Sequence, residues 1–195
     1  MTNNLLRFLT YTLVVYSLFP IALPEPIVSS ILNFLAPDYA EKQIPILASF
    51  TIWNYTHRIG CALLALLGLH QLKGFSKYHR VIGYAYAVLA LISAVGGIYM
   101  VFTSPYNTNE VLPILVFASL LVIFIVCGII NSKNLKVHKK WMRRSFSIVL
   151  GPLIIRIVYM IFALFMSEHE VMVPSFWIGW ITSLIGCEII FFWNE

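Results

Sequence analysis

An all-α fold, a polytopic bundle of about six transmembrane helices, is predicted by three features of the sequence. Of its 195 residues 60% are hydrophobic and only 11% charged, far from the mixture of a water-soluble domain. Its apolar runs are continuous and each is close to the ~20 residues that cross a hydrocarbon core of ~30 Å, whereas a barrel would show short alternating segments. Its Lys and Arg residues gather in alternate connections. Residues 1–195 read as a single transmembrane domain in a lipid bilayer.

The first run, residues 5–23, holds Arg7 near its start and has Pro20 and Pro24 at its end. No small-x-small cleavage site stands where a signal peptide would need one, so the run is expected to be a retained helix. Residues 24–43 form the one long connection, extracytoplasmic, and its 27–36 piece suits the outer membrane surface. A second helix is expected within 44–72, then helices at 81–103, 111–130, 145–166 and 174–193.

Orientation follows from the charges. The connection after the second helix holds Lys73, Lys77 and Arg80, and the one after the fourth holds Lys133, Lys136, Lys139, Lys140, Arg143 and Arg144. The alternate connections carry Glu25, Asp38, Glu41, Glu110, Glu168 and Glu170 against Lys42. Basic loops belong on the cytoplasmic side, which places both termini inside. The net charge of +5 and pI of 9.2 are thus a topology signal; a nucleic-acid partner would need a soluble basic face with exposed aromatics, and there is none. Cys61, Cys127 and Cys187 fall inside spans without C-x-x-C spacing and read as small packing residues.

Ionisable residues inside spans cost several kcal/mol and need a partner or a purpose. They form two layers. His57 is fourteen residues outward of Gln71, roughly 21 Å, and Arg156 is twelve beyond Arg144, roughly 18 Å. His57, Arg58 and Arg156 therefore share the outer half, where no span supplies an acid; an outer-loop acid, a lipid phosphate or an anionic cofactor would pair the arginines. The inner layer comprises His70, Gln71, His79, His138 and Glu188, the last expected to be ionised and paired. Helical phase groups His57, Gly60, Leu64, Gly68 and Gln71 on one face, and Gly83, Ala87, Ala90, Ala94 and Gly97 on another. Small residues so spaced let helix backbones approach, which turns His57 and His79 inward. Trp141, Ser145, Pro152, Arg156 and Tyr159 share a face of the fifth helix, with a kink expected at Pro152, and Trp177, Ile181, Leu184 and Glu188 share one of the sixth.

The run His79-Arg80-x-x-Gly83-x-x-Tyr86, then His138-x-x-Trp141-Met142-x-Arg144-Ser145 leading to Arg156, then Trp177-x-x-Trp180 with Glu188, resembles a bacterial family of predicted membrane proteins, domain of unknown function 2306. The resemblance covers residues 50–192, with Ser183 where that family often has Asn and Tyr84 where it often has Arg. It implies a bacterial inner-membrane location and a shared architecture, and it singles out His57, Gln71, His79, His138, Arg156 and Glu188 over His70 and His169.

Three functions are open at this point. A b-type haem protein moving electrons would use His79 and His138 as iron ligands, with His70 as a substitute, and arginine on the propionates. His57 and His70, thirteen apart, resemble the spacing of two-haem cytochromes, yet the outer layer has only His57 within a span, so one haem is the limit. A proton-coupled transporter would use the buried His and Arg as a relay, marked by broken helices or inverted repeats. An accessory subunit of a larger membrane complex would use the small-residue stripes for protein contacts. A quinone or a redox protein is the partner expected of the first reading. No P-loop, H-E-x-x-H or G-x-S-x-G motif speaks for soluble-type catalysis.

Overall fold

The computed structural model describes residues 2–22, 26, 27, 30, 52–72, 77–103 and 108–192. Among these residues the secondary structure is helical: α1 (Thr2–Ala22), α2 (Ile52–Leu72), α3 (His79–Thr103), α4 (Thr108–Ile130), α5 (Leu135–Phe162) and α6 (Glu168–Phe192). Four of them, α3 to α6, are long and apolar enough to cross a membrane. α2 is a full 21 residues but carries His57, Arg58, His70 and Gln71, which lower its hydropathy, and α1 contributes a shorter apolar stretch, Asn4–Val15. Of the 24–43 connection only Pro26, Ile27 and Ser30 are described; Ser30 Oγ donates to the Pro26 carbonyl at 2.8 Å, and the remainder, with residues 44–51, lies outside the described residues.

Two helix starts lie well upstream of their expected positions, α5 by ten residues and α6 by six. α5 begins at Leu135 and not at 145, because Asn134 caps it: its side chain accepts from the Val137 amide at 3.3 Å and its carbonyl from the His138 amide at 2.8 Å. Lys136, Lys139, Lys140, Arg143 and Arg144 therefore ride on helix, not in a loop. α6 begins at Glu168, where Glu170 Oε2 reaches back to accept from the Ser167 amide at 3.1 Å and hydroxyl at 2.6 Å. Pro113, Pro152 and Pro174 are all accommodated within continuous helix. The broken spans expected of a transporter are thus not found among the described residues.

α5 is the axis of the bundle: every residue from Ser145 to Gly151 is buried. It packs on α6, α4, α2 and α1, while α2 packs on α3. Close approach is set by small residues, as the stripes predict. Gly68 receives the rings of Phe146 and Tyr86, Gly60 receives Ser93, and Gly151 receives the Trp180 indole. Gly179 lies against the backbone of Ile155. Tyr86 and Ser145, both fully buried, join α3 to α5 through a 3.1 Å hydroxyl contact, and Ser145 donates onward to the Met142 carbonyl at 2.8 Å. The outward faces are as apolar as the interior: Val81, Val88, Val95 and Phe102 of α3 and Ile123, Val126 and Ile130 of α4 are exposed. Such a surface belongs in lipid.

The face that groups Trp177, Ile181, Leu184 and Glu188 is only partly the packed face of α6, since Trp177 and Leu184 lie partly buried against the core. Ile181 is 44% exposed, and the buried side chains are Val171, Met172, Ser175, Phe176, Trp180 and Cys187. The Trp180 Nε1–H donates to the Ile148 carbonyl at 3.3 Å, and Ser183 donates to that of Ser147 at 2.6 Å. Pro152 has no N–H to give the Ile148 carbonyl four residues earlier, and the Trp180 indole fills that place, while Ser183 adds a second cross-helix bond one residue before it.

Candidate functional sites at two levels

At the basic end of the bundle, the end of α2 and the starts of α3 and α5 meet. The rings of His79 and His138 stand edge to face, with centroids 6.2 Å apart and planes at 70°. The Nδ1–H of His138 donates to the Gly128 carbonyl at 2.8 Å, which fixes the tautomer and leaves the Nε2 lone pair available. Gly128 is needed there, since a Cβ would stand 2.6 Å from Met142 Sδ. Gln71 Nε2 donates to the His79 carbonyl at 2.8 Å, while its Oε1 is buried without a hydrogen-bond partner. His138 and His70 are both electrostatic neighbours of His79, but His70 itself is exposed. The expected pairing of Glu188 is present as an ion pair with Arg144, whose guanidinium also covers the Trp141 ring at 5.0 Å. Trp141 in turn meets Phe124 at 5.6 Å.

The second level lies toward the other end. The Nδ1–H of His57 donates to the Ser93 carbonyl of α3 at 2.8 Å, and its Nε2 stands 3.7 Å from Cys61 Sγ, one turn along α2. Gly97 makes room for the ring: a Cβ there would lie 3.0 Å from His57 Cε1. A cavity of about 90 Å³ adjoins His57, Cys61, Ser93, Phe117, Pro152 and Trp180. Cys61 is therefore part of a polar cluster, which the sequence reading as a packing residue missed; its spacing of four from His57 was the available sign. Arg58 and Arg156 are half-buried and neither is free of partners. Arg156 is eighteen residues beyond His138 on α5, roughly 27 Å, so it does not reach the histidine pair. No cluster of three or more His, Cys, Asp or Glu side chains suited to a metal occurs among the described residues.

The six residues that the motifs single out thus divide into one group at the basic end, Gln71, His79, His138 and Glu188, and one toward the other end, His57 and Arg156. No curated protein and no solved structure matches the chain. The profile of the family described as Predicted membrane protein (DUF2306) does, over residues 54–191, which takes in both groups. With well over half of its length matched, the chain belongs to the DUF2306 family of predicted membrane proteins.

Proposed function

We propose that this protein is a membrane electron carrier that holds one b-type haem at its basic, cytoplasmic end, between His79 and His138. The observation that supports it is the meeting of these two imidazoles from neighbouring helices, one already oriented through Nδ1. The rings meet edge to face at 6.2 Å, so a haem iron would be held through Nε2 of His138 and a ring nitrogen of His79 once one of the two rings turns its nitrogen toward it. Two imidazoles without further ligating side chains would suit a haem iron, whereas a structural zinc would require further protein ligands.

Haem supplies reversible one-electron chemistry. The chain's part is to hold and tune it. The Gly128 carbonyl makes the His138 ring a stronger donor, the Gln71 amide fixes the first turn of α3 through the His79 carbonyl, and Arg80 and Lys139 each follow a histidine in sequence at this basic end. A quinone in the bilayer or a redox protein would exchange the electron.

An absorption spectrum of the detergent-purified protein, oxidised and then dithionite-reduced, tests this. Sharp b-type bands that disappear in both His79→Ala and His138→Ala are expected. A colourless protein from haem-replete cells, or bands that persist in both variants, would refute it.

A further inference from the structure

We propose that Cys61 and His57 bind one copper(I) ion within the bundle, at the level opposite the histidine pair. Three observations carry it. The His57 tautomer is set by the Ser93 carbonyl, so Nε2 presents a lone pair, and it presents it to Cys61 Sγ at 3.7 Å. Metal–sulfur and metal–imidazole bonds of about 2.3 and 2.0 Å, meeting at about 120°, place sulfur and nitrogen about 3.7 Å apart. The pair is spaced for two of the three positions of a trigonal ion, the third being open to a small ligand in the cavity.

Ser93 is the second observation. Its side chain is 3% exposed, lines the same cavity and lies beside the Cys61 sulfur, with which its Oγ makes no well-formed hydrogen bond. A buried hydroxyl without an acceptor is costly. When the thiol of Cys61 gives up its proton on binding the ion, the sulfur becomes an anionic acceptor for that hydroxyl. The proton leaves to solvent, no electron is transferred, and one sulfur–copper and one nitrogen–copper bond form.

The third is the combination of ligand number, volume and charge. Only two ligand atoms converge, and thiolate with imidazole is a soft set that selects copper(I). A cavity of about 90 Å³ is smaller than the ~150 Å³ that accommodates a benzene ring, so it admits an ion and small ligands and excludes a quinone head group. A monovalent ion on one thiolate is neutral overall, whereas a divalent ion would leave a net charge in a low-dielectric interior beside Arg58.

Anaerobic titration of the detergent-purified full chain with copper(I), in competition with bicinchoninate, tests the site. The unmodified protein should withdraw one equivalent. Cys61→Ser and His57→Gln should each weaken binding about 100-fold or more, and Ser93→Ala, which removes only the hydroxyl, about 10-fold. Cys127→Ser, Cys187→Ser and His79→Ala should bind as the unmodified chain does, so this result stands apart from the haem test. X-ray absorption at the copper edge should show one sulfur in the first shell. Uptake that survives Cys61→Ser, uptake lost in Cys127→Ser or Cys187→Ser, or no copper withdrawn at all would overturn the proposal.

Discussion

Placing a single methyl group at each of two glycines in α6 separates packing from helix propensity. At Gly179 an added Cβ would lie 2.5 Å from Ile155 Cγ1, 2.6 Å from its Cα and 2.8 Å from its N. Carbon contacts settle at about 3.5–4.0 Å, so α5 and α6 would have to part by about 1 Å. The obstruction is backbone, which no rotamer change relieves. At Gly186, on the same helix, an added Cβ meets nothing within 4 Å. Gly→Ala in a helix interior gains about 0.5–1 kcal/mol when nothing opposes it, and overpacking costs about 1–3 kcal/mol. Gly186→Ala should therefore be neutral or stabilising and Gly179→Ala destabilising, with a gap between them of about 2 kcal/mol or more. In a chain of this length that corresponds to about 4–8 °C in Tm. Thermal unfolding of both variants in one detergent, followed by circular dichroism, reads it. Equal midpoints, or Gly179→Ala the more stable, would refute the close α5–α6 approach.

The Tyr86–Ser145 pair predicts an order of costs: Ser145→Ala strands a buried tyrosine hydroxyl and should cost about 1–3 kcal/mol, while Tyr86→Phe leaves Ser145 bonded to Met142 and should cost about 0.5–1.5 kcal/mol, by denaturant-dependent unfolding. Arg144 and Glu188 are 24% and 50% exposed, so a double-mutant cycle with Arg144→Ala and Glu188→Ala should return a coupling below about 1 kcal/mol that shrinks in high salt. A coupling of several kcal/mol would mean that the pair is shielded from solvent. Asn134→Ala removes the cap of α5 and should lower stability by about 1 kcal/mol, whereas Asn134→Ser should restore most of it.

The small-residue stripes of α2 and α3 were legible in the sequence because glycine and alanine declare a helix–helix contact wherever they recur with helical spacing. The meeting of His79 with His138 was legible for a different reason: charge sorted the connections to two sides, and both histidines adjoin the basic ones. The inward face of α6 was not legible. A helix between protein and lipid is apolar all round, so hydrophobicity carries no phase, and Ile181 reads the same as a core residue although it is 44% exposed. Glycines were the better guide, since Gly179 and Gly151 mark where α6 and α5 touch and where the Trp180 indole sits. The starts of α5 and α6 were hidden by polar residues, which sequence reading takes for loop although Asn134 and the Ser167–Glu170 pair cap helices there. The cluster of Cys61 with His57 and Ser93 joins two helices, and only the α2 half of it has a spacing to read.

At 28 residues α5 is about 42 Å long, against a hydrocarbon thickness of about 30 Å. Its surplus lies at the basic end, where a rigid post carries Lys136, His138, Lys139 and Lys140 clear of the apolar zone. The post makes α5 a ruler: the height of His138 above the lipid is set by the same rod whose middle is clamped between α6, α4 and α2. A bilayer thickened by a few Å must tilt that rod or draw the His138 turn toward the headgroups, so the polarity around this histidine varies with the thickness of the host membrane.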